Sequence, residues 1–463
     1  MLGPGYYTDQ ENEEKFVASI ERARRAPVYA EVLDGFEVRG LHDLASLPFT
    51  QKAWMKERPV RDFLATNIDR VWHYHESFGT TGQPVCGWYT LEDFEAEIPL
   101  IRTWLDSFHP GAVVLNRYPY SFPVPAQLVE IATRIRGGAC IPASNLVYNV
   151  SFPRAIDIIR RVGVTTIASM PLEPVMLEEC AYLLGLDVKR DLGTVNTFSM
   201  AGRIVTPTMK RLIERHWDAQ VHNLYGSTEG GPYATSNANG LLRLHTDGFV
   251  FEVLDPITKQ PVGDGEDGVF VVTTLTREAQ PMIRYWTGDQ VRLHLTDPEL
   301  GGGPFIEVLG RVGDELSFGD KEWTVRDLEE TILAATEDAY DSLVFFFVAT
   351  NRGLTVRIET RKPRQHHVQR AIEKDLRAKL GIPIHLEVMK PGGLMNPLGL
   401  TGEIKVFKPR MLSDVRHERR FIINHSEAMV DWFADMTPKK MVQQMVRGMR
   451  DRLRKLKFRI LGR

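Results

Sequence analysis

The stretch Ser77-Phe78-Gly79-Thr80-Thr81-Gly82-Gln83-Pro84 sets the hydroxyls of Ser77, Thr80 and Thr81 around two glycines. Glycine takes backbone angles closed to other residues, so the N–H and O–H donors of such a segment can wrap an anion such as phosphate. No Lys-Ser or Lys-Thr follows the last glycine, which excludes the G-x-x-x-x-G-K-[ST] triphosphate loop. The same composition also makes surface turns, and the segment alone leaves both readings open. A second loop, Tyr225-Gly226-Ser227-Thr228-Glu229-Gly230-Gly231, places a lone carboxylate among glycines and hydroxyls. At a strand end, that carboxylate suits a magnesium ion bridging phosphate oxygens; a capped turn into a helix is the competing reading. A third, Pro281-Met282-Ile283-Arg284-Tyr285-Trp286-Thr287-Gly288-Asp289, ends in an aspartate able to accept two hydroxyl hydrogen bonds, as a ribose diol offers, although Gly-Asp is also a frequent turn.

These loops need elements to hold them. Short β-rich runs alternate with helical periodicity: strands at Ala112 to Leu115, Ala139 to Ile141, Val164 to Ala168 and Val221 to Leu224, and helices at Pro125 to Arg134, Pro153 to Val162, Glu173 to Leu184 and Pro207 to Trp217. Such alternation predicts a mostly parallel sheet covered on both faces, with ligands beyond the carboxyl ends of its strands. Phe16, Ile20 and Ala23 give an N-terminal helix that docks on the core, and Thr90 with Glu92 and Asp93 reads as a helix start whose apolar face runs through Phe94, Ile98, Ile101 and Leu105. Phe249 to Leu254 and Val269 to Thr274, joined by Gly/Asp turns, predict an antiparallel subdomain. Further on, Val325 to Leu333 and Val368 to Leu380, the latter stopped by Gly381, read as helices around a strand at Leu343 to Thr350.

Composition bounds the rest. The 463 residues, 43% hydrophobic and 25% charged, suit a globular chain of two or three domains. The longest apolar run, Leu343 to Ala349, is far too short to cross a bilayer. Residues Met1 to Lys15 lack a basic-then-apolar leader, and Cys86, Cys140 and Cys180 match no metal or disulfide spacing, so a reducing cytoplasm is expected. From Lys439 onward ten Lys/Arg face one acid, leaving a tail of +9 and a body of −12. An acidic body argues against a nucleic-acid groove.

In order and spacing, the three loops and Gly310-Arg311-Val312-Gly313-Asp314 resemble the motifs of the adenylate-forming superfamily, in its phenylacetate–coenzyme A ligase branch. Ser77 to Pro84 resembles S-S-G-T-T-G-K-P and continues into Gly87-Trp88-Tyr89-Thr90. Tyr225 to Glu229 resembles Y-G-x-[ST]-E, and Ile283 to Asp289 resembles I-R-Y-R-T-x-D. The resemblance implies an α/β fold: a large N-terminal domain of stacked sheets with a β subdomain over residues 1–310, a smaller mobile α+β domain over 311–412, and a helical basic tail over 413–463. It implies ATP-dependent activation of a small carboxylic acid to an acyl-adenylate and transfer to coenzyme A, or to a carrier-protein thiol or an amine; a catalytically silent nucleotide binder is the remaining alternative. By the same resemblance Ser77, Gly79, Thr80, Thr81 and Gly82 would hold phosphates. Ala201-Gly202-Arg203 would flank adenine, and Tyr225, Gly226 and Ser227 would complete the nucleotide loop. Thr228 would touch the α-phosphate, Glu229 the Mg2+, and Asp289 the ribose, with Arg311 beside it. Tyr118, Phe122, Tyr148, Met170 and Tyr225, with Tyr120 nearby, would wall a pocket for a small aryl acid. A monomer or homodimer is expected.

Four positions depart from the pattern. Gln83 replaces a lysine, Arg203 an acid, Gly313 the hinge aspartate with Asp314 retained, and Glu403, in Pro397-Leu398-Gly399-Leu400-Thr401-Gly402-Glu403-Ile404-Lys405, the adenylating lysine. Lys405, two residues on, points to the same side of an extended segment and is the expected substitute. In the tail, Met441, Met445, Met449, Leu453, Leu456 and Ile460 form an apolar stripe among cations, expected either to pack on the body or to meet a membrane surface or partner. Lys405→Ala is expected to lower ATP–pyrophosphate exchange about 100-fold, the scale of losing one group aimed at transition-state charge; unchanged exchange would remove Lys405 from the adenylation step.

Overall fold

The computed structural model describes residues 10–77, 84–121, 123–145, 150–297, 301–350, 353–394 and 412–414. Lys405, Phe122, Tyr148, Glu403, Gln83, Gly79, Thr80, Thr81, Gly82 and the basic tail lie outside these residues.

Five parallel strands run side by side in the order Ala139–Pro142, Val113–Asn116, Thr166–Ser169, Thr197–Ala201 and Gln220–Ser227. Helices return the chain between them: Pro125–Ile135 after the Val113 strand, then Phe152–Val162, Glu173–Leu183 and Pro207–Trp217. The strand order reverses at Val113–Asn116, and right-handed crossovers then place the helices on opposite faces. Pro125–Ile135 buries Ala126, Leu128, Val129 and Ala132 with Tyr118, Phe94 and Trp104 on one face. On the other face Ile156, Leu177, Leu212 and Trp217 share a core with Phe198. The expected doubly covered parallel sheet is therefore present, and its reversal point opens beside the carboxyl ends of the Val113 and Thr166 strands, where ligands of open α/β sheets collect.

Glu229 does not lead into a helix. The chain turns back through Gly230 and runs antiparallel as Gly231–Ser236, then continues the same sheet through Leu242–Leu244, Phe305–Arg311, Tyr285–His294, Asp267–Thr274 and Phe249–Leu254. Glycine is required twice in this reversal. A Cβ on Gly226 would lie 2.3 Å from the carbonyl oxygen of Gly231, and Gly231 itself has φ +98° with Glu97 pressed against the place a Cβ would take. The predicted helix through Leu105 is likewise interrupted, as Leu91–Glu97 and Arg102–Leu105, although Thr90 and Asp93 do form a capping box. The N-terminal helix Gln10–Ala23 buries Phe16, Ile20 and Ala23 against the antiparallel strands, beside Phe249, Phe251 and Phe270.

Beyond Arg311 a second sheet forms, ordered Ile384–Met389, Gly353–Glu359, Val344–Thr350 and Leu412–Asp414, with helices Val325–Tyr340 and His366–Leu380. The apolar run at Leu343 is its central strand, as its length implied, and Gly381 ends the second helix at φ +65°. The first helix runs seven residues past Leu333, because Ile332, Thr336 and Tyr340 continue the buried stripe. No described helix is long and apolar enough to cross a membrane.

A buried ion pair anchors the loop beyond the Val113 strand. Arg117 Nε donates to Glu173 (2.5 Å) and Nη1 to the carbonyls of Ala143 (2.7 Å) and Val150 (3.1 Å), with both side chains almost wholly buried. Removing one partner strands a charge in the interior. Glu173→Ala is expected to cost about 3 kcal/mol of unfolding free energy in urea titrations, and a loss under about 1 kcal/mol would show that water reaches Arg117.

Candidate active site

The strand Gln220–Ser227 and the strand Tyr285–His294 are not neighbours; three others lie between them in the ladder. Their side chains nevertheless meet, because the sheet curls. The Tyr225 hydroxyl donates to Asp289 Oδ2 (2.6 Å), and the Tyr285 hydroxyl donates to Glu229 Oε1. Each segment thus supplies a tyrosine to the other's carboxylate. Burial raises the pKa of both phenols, and the facing carboxylates raise it further, so they remain protonated donors. Burial also raises the Asp289 carboxyl, against the opposing pull of Tyr225, Arg311 and Lys52.

Two cations complete the cluster. Arg311 is Asp289's ladder partner, with Nε 3.6 Å from Oδ1. Lys52 Nζ lies 3.9 Å from Glu229 Oε1, and burial lowers its pKa. The strand Thr50–Gln51 pairs in parallel with Tyr285 and Trp286, which carries the following helix Lys52–Glu57 to this place. No short motif marks Lys52 in the sequence; only the pairing brings it in. Tyr285 lay inside a motif but carried no assigned role. A Cys86 thiolate does not compete as a nucleophile, because burial, with Glu229 nearby, pushes its thiol up to about 12.

The glutamate turn is rigid. Ser227 Oγ accepts from Gly230 N–H (3.1 Å) and shares a hydrogen bond with Tyr233 (2.6 Å), while the carbonyl of Thr228 accepts from the Tyr89 hydroxyl (2.8 Å). Gly87 passes so close that a Cβ there would lie 2.2 Å from that carbonyl. The hairpin His73–Glu76 and Cys86–Tyr89 therefore brings the base of the Ser77 loop against the glutamate turn. Ser77 closes that base, its N–H donating to Val85 O (2.9 Å) and its Oγ accepting from Val85 N–H (3.1 Å).

Ala201 ends the strand beside Leu224, and Gly202, at φ +89°, lies against Met170, whose Sδ would be 2.9 Å from a Cβ. The positions expected beside adenine and beside the acid thus adjoin. Tyr118 is buried, its hydroxyl donating to Ser169 O (2.6 Å), so it supports the floor of the strand ends with Met170 and Leu224. Tyr120 donates to Glu130 (2.8 Å) and accepts from Asn116 Nδ2 (2.9 Å). Arg203 points away from these groups, to Glu329 (2.8 Å). No group of three or more His, Cys, Asp or Glu able to hold a metal occurs among the described residues. Glu229, with one oxygen on Tyr285, fits a magnesium ion that brings phosphate oxygens and water with it. A cavity of about 320 Å3 between the helix Glu173–Leu183 and the C-terminal unit is lined by none of these residues.

Residues 78–286 match the family model described as AMP-binding enzyme. The phenylacetate-coenzyme A ligase of Thermus thermophilus is 25% identical over 404 residues, 80% of this chain and 89% of that protein. Over these spans the chain is similar to an AMP-binding enzyme and to phenylacetate-coenzyme A ligases. Among solved structures, 2-hydroxyisobutyryl-CoA ligase in the postadenylation state superposes with a TM-score of 0.73 at 18% identity, covering 94% of this chain and 97% of that one. The same enzyme in its thioesterification state gives 0.58 at 18% identity, covering 93% and 96%.

If Asp289 receives a ribose diol, Asp289→Ala will weaken ATP binding at least tenfold by calorimetry, matching the 1.5–3 kcal/mol of a hydrogen bond to a charged group, while 2′,3′-dideoxy-ATP will bind wild type and variant alike. Equal affinity of the wild type for both nucleotides would overturn the assignment.

Proposed function

We propose that this chain activates a small carboxylic acid, aryl in type, with ATP, releasing pyrophosphate, and passes the acyl group to coenzyme A. The observation that carries the reading is the meeting of four distant segments, Lys52, Tyr225 to Glu229, Tyr285 to Asp289, and Arg311, at the ends of the parallel strands. A carboxylate and a triphosphate repel one another. Such a reaction therefore needs cations, fixed donors and positioning more than a nucleophilic side chain.

In this reading residues 1–310 are the adenylating domain and 311–412 the small domain. Asp289, half-buried and oriented by Tyr225, accepts the ribose hydroxyls. Glu229 would hold Mg2+, which when bound supplies charge neutralisation at the phosphates. Lys52 lies on the same carboxylate and supplies a cation there. Tyr285 holds Glu229 by one oxygen. The apolar floor of Tyr118, Met170, Ala201 and Leu224, with its polar atoms already satisfied, suits an acid with a planar apolar body.

The test is ATP–pyrophosphate exchange across a panel of aryl and short aliphatic acids, with coenzyme A added or omitted. Exchange with aryl acids that needs no coenzyme A, and thioester formed only when it is present, is expected; absence of exchange with every acid would sink the reading. Lys52→Met is expected to lower exchange about 10- to 100-fold at unchanged fold, the effect of losing one electrostatic contact to developing charge.

A further inference from the structure

The helix Pro207–Trp217 of the large unit and the helix Val325–Tyr340 of the C-terminal unit pack together, their apolar faces, Leu212 and Ile213 with Leu328 and Ile332, in one shared core and charged contacts along its edge. Thr208 donates its N–H (3.0 Å) and hydroxyl (2.7 Å) to Glu330 at one end. Arg211 and Arg215 both hold Glu337 at 3.0 Å, and His216 reaches Asp341 (3.1 Å) at the other. At the edge of the seam the Arg211 and Arg215 side chains are about half exposed, where ion pairs contribute little.

One pair differs. Arg203 and Glu329 are 2.8 Å apart, with side chains only 15% and 3% exposed. Arg203 Nη1 and Glu329 Oε1 are buried and have no hydrogen-bond partner among the described residues. Neither atom therefore has a second partner among the described residues of its own unit. A buried pair of this kind adds little net stability while intact, yet losing one member strands the other. The contact is in effect a test of whether the two units are correctly seated. Its position gives that seating a consequence: Arg203 lies two residues beyond Ala201, whose ladder partner Leu224 precedes Tyr225 and the glutamate turn. Arg203 is also the residue that stands where the family pattern has an acid.

We propose that Arg203 is a positioning residue, docking the C-terminal unit through Glu329 over the strand ends that carry Tyr225 and Glu229, rather than a group that reads the nucleotide. The proposal rests on the adenylating reading for its kinetic consequence, and on the seam alone for its structural one.

The test uses the full chain in four forms: wild type, R203E, E329R and the double exchange R203E/E329R. Spin labels on Ile257→Cys, an exposed site of the large unit, and Ala378→Cys, an exposed site of the C-terminal unit, report the distance between units. The unsubstituted chain is the labelling control, since Cys86 and Cys180 are buried and Cys140 half-buried. R203E is expected to displace or broaden the distance distribution and to lower pyrophosphate exchange at least tenfold with the KM for ATP within twofold. The double exchange is expected to restore the distribution and bring exchange back to within threefold of wild type, and Glu329→Gln to give a partial loss of both. An unchanged distribution in R203E overturns the proposal, as does a tenfold rise in the KM for ATP with the distance unmoved, which would make Arg203 a nucleotide contact. A double variant that keeps wild-type circular dichroism and melting yet is not rescued overturns it too. Wild-type chain inactive with every acid would defeat the adenylating reading instead, and the distance measurements would still decide the docking contact.

Discussion

The exchange of tyrosine hydroxyls between two carboxylates is the constraint on which the site depends. Asp289 and Glu229 sit on segments separated by three strands of sheet, and each is held by a tyrosine four residues from the other: Tyr225 precedes Glu229, and Tyr285 precedes Asp289. Burying a carboxylate without a donor is costly, so each half of this arrangement is stable only if the sheet curls far enough to deliver the other half. Ladder hydrogen bonds alone would permit a flatter sheet. The phenols choose the curled one, and their burial keeps them as donors across the working pH range.

Glycine makes the approach possible and side-chain charge makes it specific. The close passage of Gly87 beneath the Thr228 carbonyl and of Gly226 beside Gly231 packs two backbones where a methyl group would collide. Once they are that near, Lys52, at the start of a helix, and Arg311, at the end of a strand, meet Glu229 and Asp289. Elsewhere the same logic holds at larger scale: Arg117 on Glu173, Arg277 on Glu97 (2.8 Å) and Arg284 on Glu252 (2.8 Å) are buried pairs, each tying together segments far apart in the chain. Such pairs add little net stability but punish any misregister, since a shifted partner leaves an unmatched charge in the interior.

Much of this was readable beforehand. The hydroxyl and glycine loops, the lone glutamate and the aspartate after Thr-Gly are short-range patterns, and the alternation of strands and helices is set by local periodicity, so the parallel strands, the helix Pro207–Trp217 and the stop at Gly381 lie where the pattern put them. Local signals failed where non-local packing decided the outcome. The turn after Glu229 could cap a helix or reverse a strand, and only pairing with the strand before it selects the latter. The helix through Ile98 looked continuous because its apolar spacing was kept, yet it breaks between Glu97, turned inward to Arg277, and Arg102.

The sequence by itself determined which groups were available: loops of hydroxyls and glycines, a lone glutamate, an aspartate after Thr-Gly, an acidic body and four charge departures from a family pattern. Tertiary structure decided which groups share a site. Lys52 lies 177 residues before Glu229 and enters through a two-residue strand, and Glu329 lies 126 residues beyond Arg203 and meets it across a helix seam. Neither has a local signature, because a lysine after a polar strand and a glutamate on an amphipathic helix are ordinary solvent-facing residues until packing removes the water around them. Desolvation is a property of the assembled interior, and it turns those ordinary charges into partners.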